Sequence, residues 1–212
     1  MEFGGIVRDS VALHRVLGAR NKMFVMKISD QQIKEIARNN GLTFAQLKAF
    51  IDVESSGSGF DPATGKIIIQ FEPSWFKRHE PYAPSGKWSA NGVERQAEEW
   101  IAFNDAWKIS PESAMMSTSI GMPQIMGFHF YRLGYKSVGE MWDDFKRGEY
   151  QQVLALVRFI KTDDRLYRAL VTKDWHTVAT IYNGASYKKM AKKWGREPYD
   201  VSLRKAYEKW SK

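Results

Sequence analysis

The stretch from residue 47 to residue 60 sets a problem that any fold of this chain must solve. Leu47, Phe50, Ile51 and Glu54 fall at i, i+3, i+4 and i+7, the spacing of one helix face. Three of the four are large and apolar, so that face belongs in a core. The fourth is a carboxylate, and a charge on an inward face costs free energy unless it is paired or stays protonated. Ser55, Ser56, Gly57, Ser58 and Gly59 follow at once and stop the helix. Glu54 is therefore expected on the last turn of a core helix, beside a flexible opening. A carboxylic acid held there has a raised pKa and can deliver a proton. The competing reading is a solvated glutamate, or one paired with a nearby cation, because perturbed carboxylates mark sites only statistically.

Both ends of that helix are written in the sequence. Thr43 and Gln46 form a capping box at its start, and Ser29 and Gln32 form another one helix earlier, where Ile33, Ile36 and Ala37 face inward and Asn40-Gly41 closes. After the serine–glycine run, residues 60–65 (Phe-Asp-Pro-Ala-Thr-Gly) read as a turn. Residues 66–72 read as a strand, with Ile67, Ile69 and Phe71 on one face, Glu72 at its far end and Pro73 closing it. Residues 81–91 are a loop. From Val93 onward the pattern is helical. Ala97, Trp100, Ile101 and Asn104 are expected on one face, flanked by Phe103 and Trp107. Ser110-Pro111-Glu112 is a helix start, as are Ser137 with Glu140, Asp174 and Asp200. Val153, Leu154, Val157 and Ile160 form a buried stripe, and Leu203, Ala206, Tyr207 and Trp210 another. The expected class is α+β, predominantly α-helical, with a small β-hairpin or sheet near the front.

Composition narrows the function classes. At 212 residues, 43% hydrophobic and 14% aromatic, the chain can pack a core rather than remain disordered. It has no cysteine, which removes disulfides, thiol catalysis and thiolate metal sites. No apolar run reaches the roughly 18–20 residues of a membrane span. In residues 1–26, Glu2, Arg8, Asp9, His14 and Arg15 interrupt every apolar run, so no signal peptide is expected and the segment is read as an extension. The net charge of +8 favours an anionic partner: nucleic acid, acidic glycan, anionic lipid or wall polymer.

Four segments narrow the choice further: Glu54-Ser-Ser-Gly-Ser-Gly-Phe60, Gln70-Phe-Glu-Pro-Ser-Trp-Phe76, Ser119-Ile-Gly-Met-Pro-Gln-Ile-Met-Gly-Phe128 and Tyr182-Asn-Gly-Ala-Ser-Tyr187. A glutamate–serine at a helix end, a later S-x-G-x-x-Q-I and a still later Y-N resemble the lysozyme-like superfamily, which includes lytic transglycosylases. The fuller pattern resembles the N-acetylmuramidase domain of phage endolysins over roughly residues 29–210. On that resemblance, residues 1–26 are an N-terminal extension and 27–212 the catalytic domain, with a lysozyme-like fold. The resemblance implies hydrolysis of the β-1,4 bond between N-acetylmuramic acid and N-acetylglucosamine. It puts Glu54 on the family's catalytic glutamate and Glu72 on a second active-site acid. In the family an Arg-His pair commonly follows that second acid directly; here Pro73 and Ser74 follow, and Arg78-His79 comes later.

The chemistry asks for a proton on the leaving oxygen and stabilisation of an oxocarbenium-like centre. Glu54 is the acid. Glu72 is the first choice for the second carboxylate; Asp61, with Thr64 beside it, is its rival. Ser119, Gln124, Tyr182 and Asn183 are sugar-binding candidates, since hydroxyl and N-acetyl groups need neutral donors and acceptors. Each also has a structural reading: Asn183-Gly184 as a helix C-cap, Gln124 as a structural amide. Gly121 and Gly127 are expected to let the backbone approach the glycan. Among the aromatics, Trp88 and Phe128 suit a cleft, while Trp100 and Trp210 suit the core. The four histidines show no metal spacing, and acid–base hydrolysis implies no cofactor.

The leading expectation is thus a monomeric endolysin that collects in the host cytoplasm and acts on the periplasmic cell wall once a separate membrane protein releases it. Peptidoglycan is its partner, and the basic C-terminal helix is a candidate contact for an anionic outer-membrane surface. A lytic transglycosylase, a chitinase-like hydrolase, a non-catalytic wall-binding module and a nucleic-acid-binding protein are the alternatives. No recognised nucleic-acid motif supports the last.

Overall fold

The computed structural model describes residues 27–55, 57–80 and 95–212. The expectations for residues 1–26, for the 81–91 loop and for Trp88 lie outside the described residues. Helix α1 (Asp30–Asn39) opens on the expected capping box, in which Ser29 and Gln32 each satisfy the other's backbone N–H. Its inward face is Ile33, Ile36 and Ala37. Helix α2 (Phe44–Ser55) opens on the second box: Thr43 N–H donates to Gln46 Oε1 at 2.8 Å, and Gln46 N–H to Thr43 Oγ1 at 3.2 Å. Leu47, Ala49, Phe50 and Ile51 of α2 are buried completely or nearly so.

Strand β1 spans only Ile69–Phe71, shorter than the 66–72 run expected. The reason is a change of partner along the chain. Ile67 bridges back to Phe60 across the 61–66 turn, and Ile68 donates to Gly59. From Ile69 onward the chain instead pairs antiparallel with β2 (Thr118–Ile120), in the register Ile69 with Ile120 and Phe71 with Thr118. The expected alternation holds, with Ile67, Ile69 and Phe71 all buried. Helix α3 (Pro73–His79) begins immediately, with Glu72 at its N-cap.

Helix α4 (Gln96–Ile109) buries Glu99, Ala102, Phe103 and Ala106. The expected face was different: Ile101 is 63% exposed, and Ala97 and Asn104 point outward as well. The helix is rotated because its polar residues cover the open edge of β1. Glu99 Oε2 accepts the Phe71 N–H at 2.8 Å, while Gln96 exchanges hydrogen bonds with both the N–H and the C=O of Ile69. A strand edge offers unpaired backbone groups that something must satisfy. Trp100 is partly buried and packs edge-on against Phe103 and Trp142.

Ser110 caps α5 (Pro111–Met116), as expected. The chain then runs through β2, a four-residue turn, β3 (Ile125–Met126) and a 3₁₀ turn at Gly127–His129, completing an antiparallel sheet in the order β1-β2-β3. The rest is helical: α6 (Val138–Lys146) capped by Ser137, α7 (Glu149–Lys161), α8 (Asp164–Thr172), α9 (Trp175–Tyr182) capped by Asp174, α10 (Tyr187–Lys193) and α11 (Tyr199–Trp210). The expected α7 stripe is present, with Val153, Val157 and Ile160 buried and Leu154 packed partly against the core. Asp200 does not cap α11; the helix starts one residue earlier, behind Pro198, and Asp200 sits in its first turn, 3.5 Å from Lys188. The observed class is α+β with helices dominant, one core running through the sheet, helices α1–α9 and α11.

Gly127 shows how tightly the sheet packs on α5. A Cβ placed there would lie 2.0 Å from the Met115 carbonyl oxygen, and backbone cannot swing aside as a side chain can. Gly127→Ala should lower the unfolding free energy by about 1–3 kcal/mol, the usual cost of overpacking. Urea denaturation followed by circular dichroism measures it.

Candidate functional site

Glu54 stands on the last full turn of α2, one helical turn beyond Phe50 and Ile51. Its side chain keeps partial exposure, which a proton donor needs to meet a substrate. Protein nevertheless surrounds the carboxyl, and this burial pushes its pKa up from the ordinary range to about 7. A hydrogen bond from the Tyr199 hydroxyl to Oε1 acts in the opposite sense but is the smaller influence. Burial, and then the nearby Glu54 charge, push the phenols of Tyr199 and Tyr182 well above their ordinary value. Both stay neutral across the working range, so Tyr199 remains a donor.

Tyr199 reaches this point because α11 lies along α2. Trp210 packs edge-on against Phe44 at 5.8 Å, and its Nε1 donates to Asp52 Oδ2 at 2.7 Å. Lys209 donates to the same oxygen at 3.1 Å, and Lys48 approaches the other Asp52 oxygen at 3.7 Å. Leu203, at the centre of α11, is completely buried. The apolar face expected on this helix is therefore used for docking.

A series of direct contacts joins Glu54 to the other residues expected at the site. The Tyr182 ring stacks beside Tyr199 at 6.3 Å and meets Phe50 edge-on at 4.8 Å. Its hydroxyl donates to the Pro123 carbonyl at 2.9 Å, so Tyr182 holds the β2–β3 turn in place. In that turn Gln124 has a left-handed backbone, φ 48°. It donates from Nε2 to the Gly121 carbonyl at 2.8 Å and accepts from Ser119 Oγ at 3.1 Å. Ser119 pairs with Gln70 across the sheet, and Gln70 Nε2 donates to Glu72 Oε1 at 3.2 Å. On α3, Trp75 lies 4.6 Å from the Phe128 ring, and the Arg78 guanidinium sits 4.2 Å over Trp75. From Phe128 the aromatic contacts continue through His129 and Phe159 back to Tyr182. Burial and the neighbouring Arg132 lower the His129 pKa to about 4, so that imidazole is neutral.

The remaining candidates fall differently. Asn183 is exposed and is the C-cap of α9. Asp61 and Thr64 build the 61–66 turn: Thr64 Oγ1 donates to Asp61 Oδ2 at 2.6 Å, and the Ala63 N–H to Oδ1 at 3.1 Å. Those bonds hold the Asp61 carboxyl below its usual pKa. What Gly121 and Gly127 approach closely is protein. A Cβ on Gly121, at φ 68°, would press on the Gln152 amide, and one on Gly127 on Met115. Among the described residues, no cluster of histidine and carboxylate side chains is arranged to hold a metal ion.

Two residues that the sequence reading passed over stand directly behind the site. Glu149, buried at the first position of α7, accepts the Gly59 N–H on one oxygen at 3.0 Å and the Ile28 N–H on the other at 2.9 Å. One turn later Gln152, fully buried, accepts the Met122 N–H at 2.7 Å and donates to the Phe145 carbonyl at 2.9 Å. One helical turn thus fixes both the chain leaving α2 and the Gly121 turn. The signal was present: both residues are in phase with Val153, Leu156 and Ile160 on the buried face of α7.

With this geometry in view, comparisons with known proteins are informative. The N-acetylmuramidase family matches residues 43–211. Among solved structures, the chain is similar to the endolysin of Burkholderia phage AP3, with a TM-score of 0.71 and 31% identity, over 87% of this chain and 71% of that one. No curated protein matches the chain.

The raised pKa of Glu54 makes a thermodynamic prediction. Below the ordinary value of 4.5 the carboxyl is protonated in folded and unfolded chains alike. Between there and about 7 the folded chain holds the extra proton, so stability falls as pH rises, and above about 7 the full cost is present. Glu54→Gln removes that cost. It should stabilise the protein by on the order of 1–3 kcal/mol at pH about 8, allowing for the side chain's partial exposure, and by almost nothing at pH about 4. Urea titrations of both proteins at the two pH values check it.

Proposed function

The chain belongs to the N-acetylmuramidase family of phage endolysins, and from that premise we propose that Glu54 donates the proton that breaks the bond between N-acetylmuramic acid and N-acetylglucosamine. The protein is a peptidoglycan hydrolase, a glycoside hydrolase of the lysozyme type. The observation that carries the role of Glu54 is its place on the last turn of α2, on a partly exposed residue whose carboxyl is surrounded by protein, so that burial raises its pKa to about 7. Such a group is substantially protonated at neutral pH, as a general acid must be.

In this reading Glu54 protonates the glycosidic oxygen as the C–O bond lengthens. Positive charge develops at the anomeric carbon, and water adds there to leave a reducing end. Glu72 is the second carboxylate, stabilising that charge or activating the water. Its place supports the assignment: it sits at the strand–helix junction, bonded to Gln70, which pairs with Ser119. Asp61 is the weaker candidate because both its oxygens are engaged in closing its own turn. Ser119, Gln124, Phe128 and Asn183 bind the sugars. Ser119 and Gln124 are already hydrogen-bonded to each other and so offer groups of fixed direction, while Phe128 beside Trp75 offers a ring face. Tyr182 contributes its packed ring and its hold on Pro123.

Digestion of purified peptidoglycan followed by mass spectrometry of the fragments tests the reaction. Reducing muramic acid ends are expected; 1,6-anhydro ends would instead make the enzyme a lytic transglycosylase. Glu54→Gln should lower turnover by about 10²–10⁴-fold, the range for loss of a general acid, with binding to the wall retained. Glu72→Gln should also lose turnover, whereas Asp61→Asn should keep most of it.

The net charge of +8 supports a second contact, with anionic surface outside the cleft. Because α2 occupies the apolar face of α11, this end of the molecule offers charge rather than a greasy helix. Lys189, Lys192, Lys193 and Arg204 are exposed there. The protein acts on the cell wall, works as a monomer, and builds up in the host cytoplasm before release. No helix among the described residues is long and apolar enough to cross a membrane. Replacing Lys189, Lys192 and Lys193 by serine should weaken sedimentation with anionic vesicles in low salt while leaving cleavage of soluble glycan fragments unchanged.

A further inference from the structure

The mechanism leaves one buried polar group without a task. Tyr199 lies on α11, in none of the motif segments, and is separated from Glu54 by 145 residues. Yet its hydroxyl donates to Glu54 Oε1. Contacts at both ends of α11 fix where that hydroxyl sits. The Tyr199 ring stacks parallel to Tyr182, at an interplanar angle of 11°. Tyr182 is in turn anchored by Phe50, Phe159 and the Pro123 carbonyl. At the far end of α11, Asp52 binds Trp210 and Lys209, so the helix cannot slide along α2.

We propose that Tyr199 is a positioning residue for the reaction, holding Glu54 so that its acidic proton resides on Oε2, the oxygen that the phenol does not engage. The argument is one of donors and acceptors. A protonated carboxyl has one hydroxyl and one carbonyl oxygen. A phenol that donates to Oε1 makes Oε1 the acceptor and leaves the proton on Oε2. The same bond fixes the rotation of the carboxyl, which a glutamate on the last turn of a helix would otherwise lose. After transfer the phenol still donates, now to an anion, and the bond strengthens. Tyr199 thus favours the product state of the proton transfer without touching the sugar. The inference rests on Glu54 being the acid.

Among the described residues, the charged and titratable groups near Glu54 are these. Tyr199 comes from α11 and Tyr182 from α9; Arg132 acts at the Tyr182 phenol, and Asp52 with Lys48 on α2 itself is paired with Lys209 of α11. Tyr199→Phe removes the hydroxyl and keeps the ring stacked on Tyr182. On soluble glycan fragments, kcat should fall by about tenfold, the effect of one charge-assisted hydrogen bond, with KM little changed. The basic limb of the pH–kcat profile should move to higher pH, because burial of Glu54 is then unopposed. Incorporating 3-fluorotyrosine at position 199, a stronger donor of almost the same shape, should move that limb the other way. A purely structural role would lower activity without moving the limb, or would move it alike in both variants; either result overturns the inference. If Tyr199→Phe does not fold, the fluorotyrosine protein alone decides, and an unmoved limb is fatal. If Glu54→Gln keeps full activity, the acid itself is misassigned. If that variant is dead while the limb stays put, Glu54 stands and only the role of Tyr199 falls.

Discussion

The structure turns on the free energy of one carboxyl group at the margin of an apolar core. Were Glu54 a turn earlier on α2, it would lie among Phe50 and Ile51 and be sealed from any substrate. Were it a turn later, solvent would return its acidity to the ordinary range. The helix end sets the compromise: enough protein around the group to keep its proton to about pH 7, with the residue as a whole still partly exposed. The stability given up for a poised acid is a familiar trade at functional sites. It is offset by the densely packed helices around it.

Those helices do more than fill space. α7 carries Glu149 and Gln152 on its buried face, and each binds backbone on a different side of the site. α4 turns Gln96 and Glu99 inward to complete the edge of β1, the strand that leads to Glu72. Tyr182 ties α9 to the β2–β3 turn. In each case a polar side chain on a rigid helix satisfies the backbone of a segment that has no regular partner. Loops and strand ends near a site need such donors and acceptors, since an unpaired buried backbone group is costly. Precision at the site therefore comes from the helices behind it.

Much of this was legible in the sequence because it was local. The two capping boxes, the proline at the start of α5 and the alternation of Ile67, Ile69 and Phe71 are all decided within a few residues. So was the placement of Glu54, which needed only its phase relative to Leu47, Phe50 and Ile51. The departures were set by tertiary partners rather than by local pattern. The face of α4 differs from the one its apolar spacing suggests because Glu99, a charged residue, turns inward to bond the Phe71 N–H. Glu149 and Gln152 escaped for the same reason. β1 was read too long because a chain that changes partner at Ile68 keeps the same alternation on both sides of the change. Asp200 fits a cap by residue type, but α11 starts behind Pro198, and Asp200 in its first turn pairs with Lys188 instead. Tyr199 lies beyond any local rule, because nothing within α11 records what it meets 145 residues earlier.

That separation has a consequence during synthesis. The elements up to α9 leave the ribosome before α11 does. Glu54 therefore lacks its phenol partner, and α2 its packing neighbour, until α11 arrives and Trp210 finds Asp52. Contacts between such distant parts of a chain form late and slow the approach to the native state. The surroundings of Glu54 are thus complete only when the last helix has docked, so the order of synthesis sets when this corner of the molecule takes its final form.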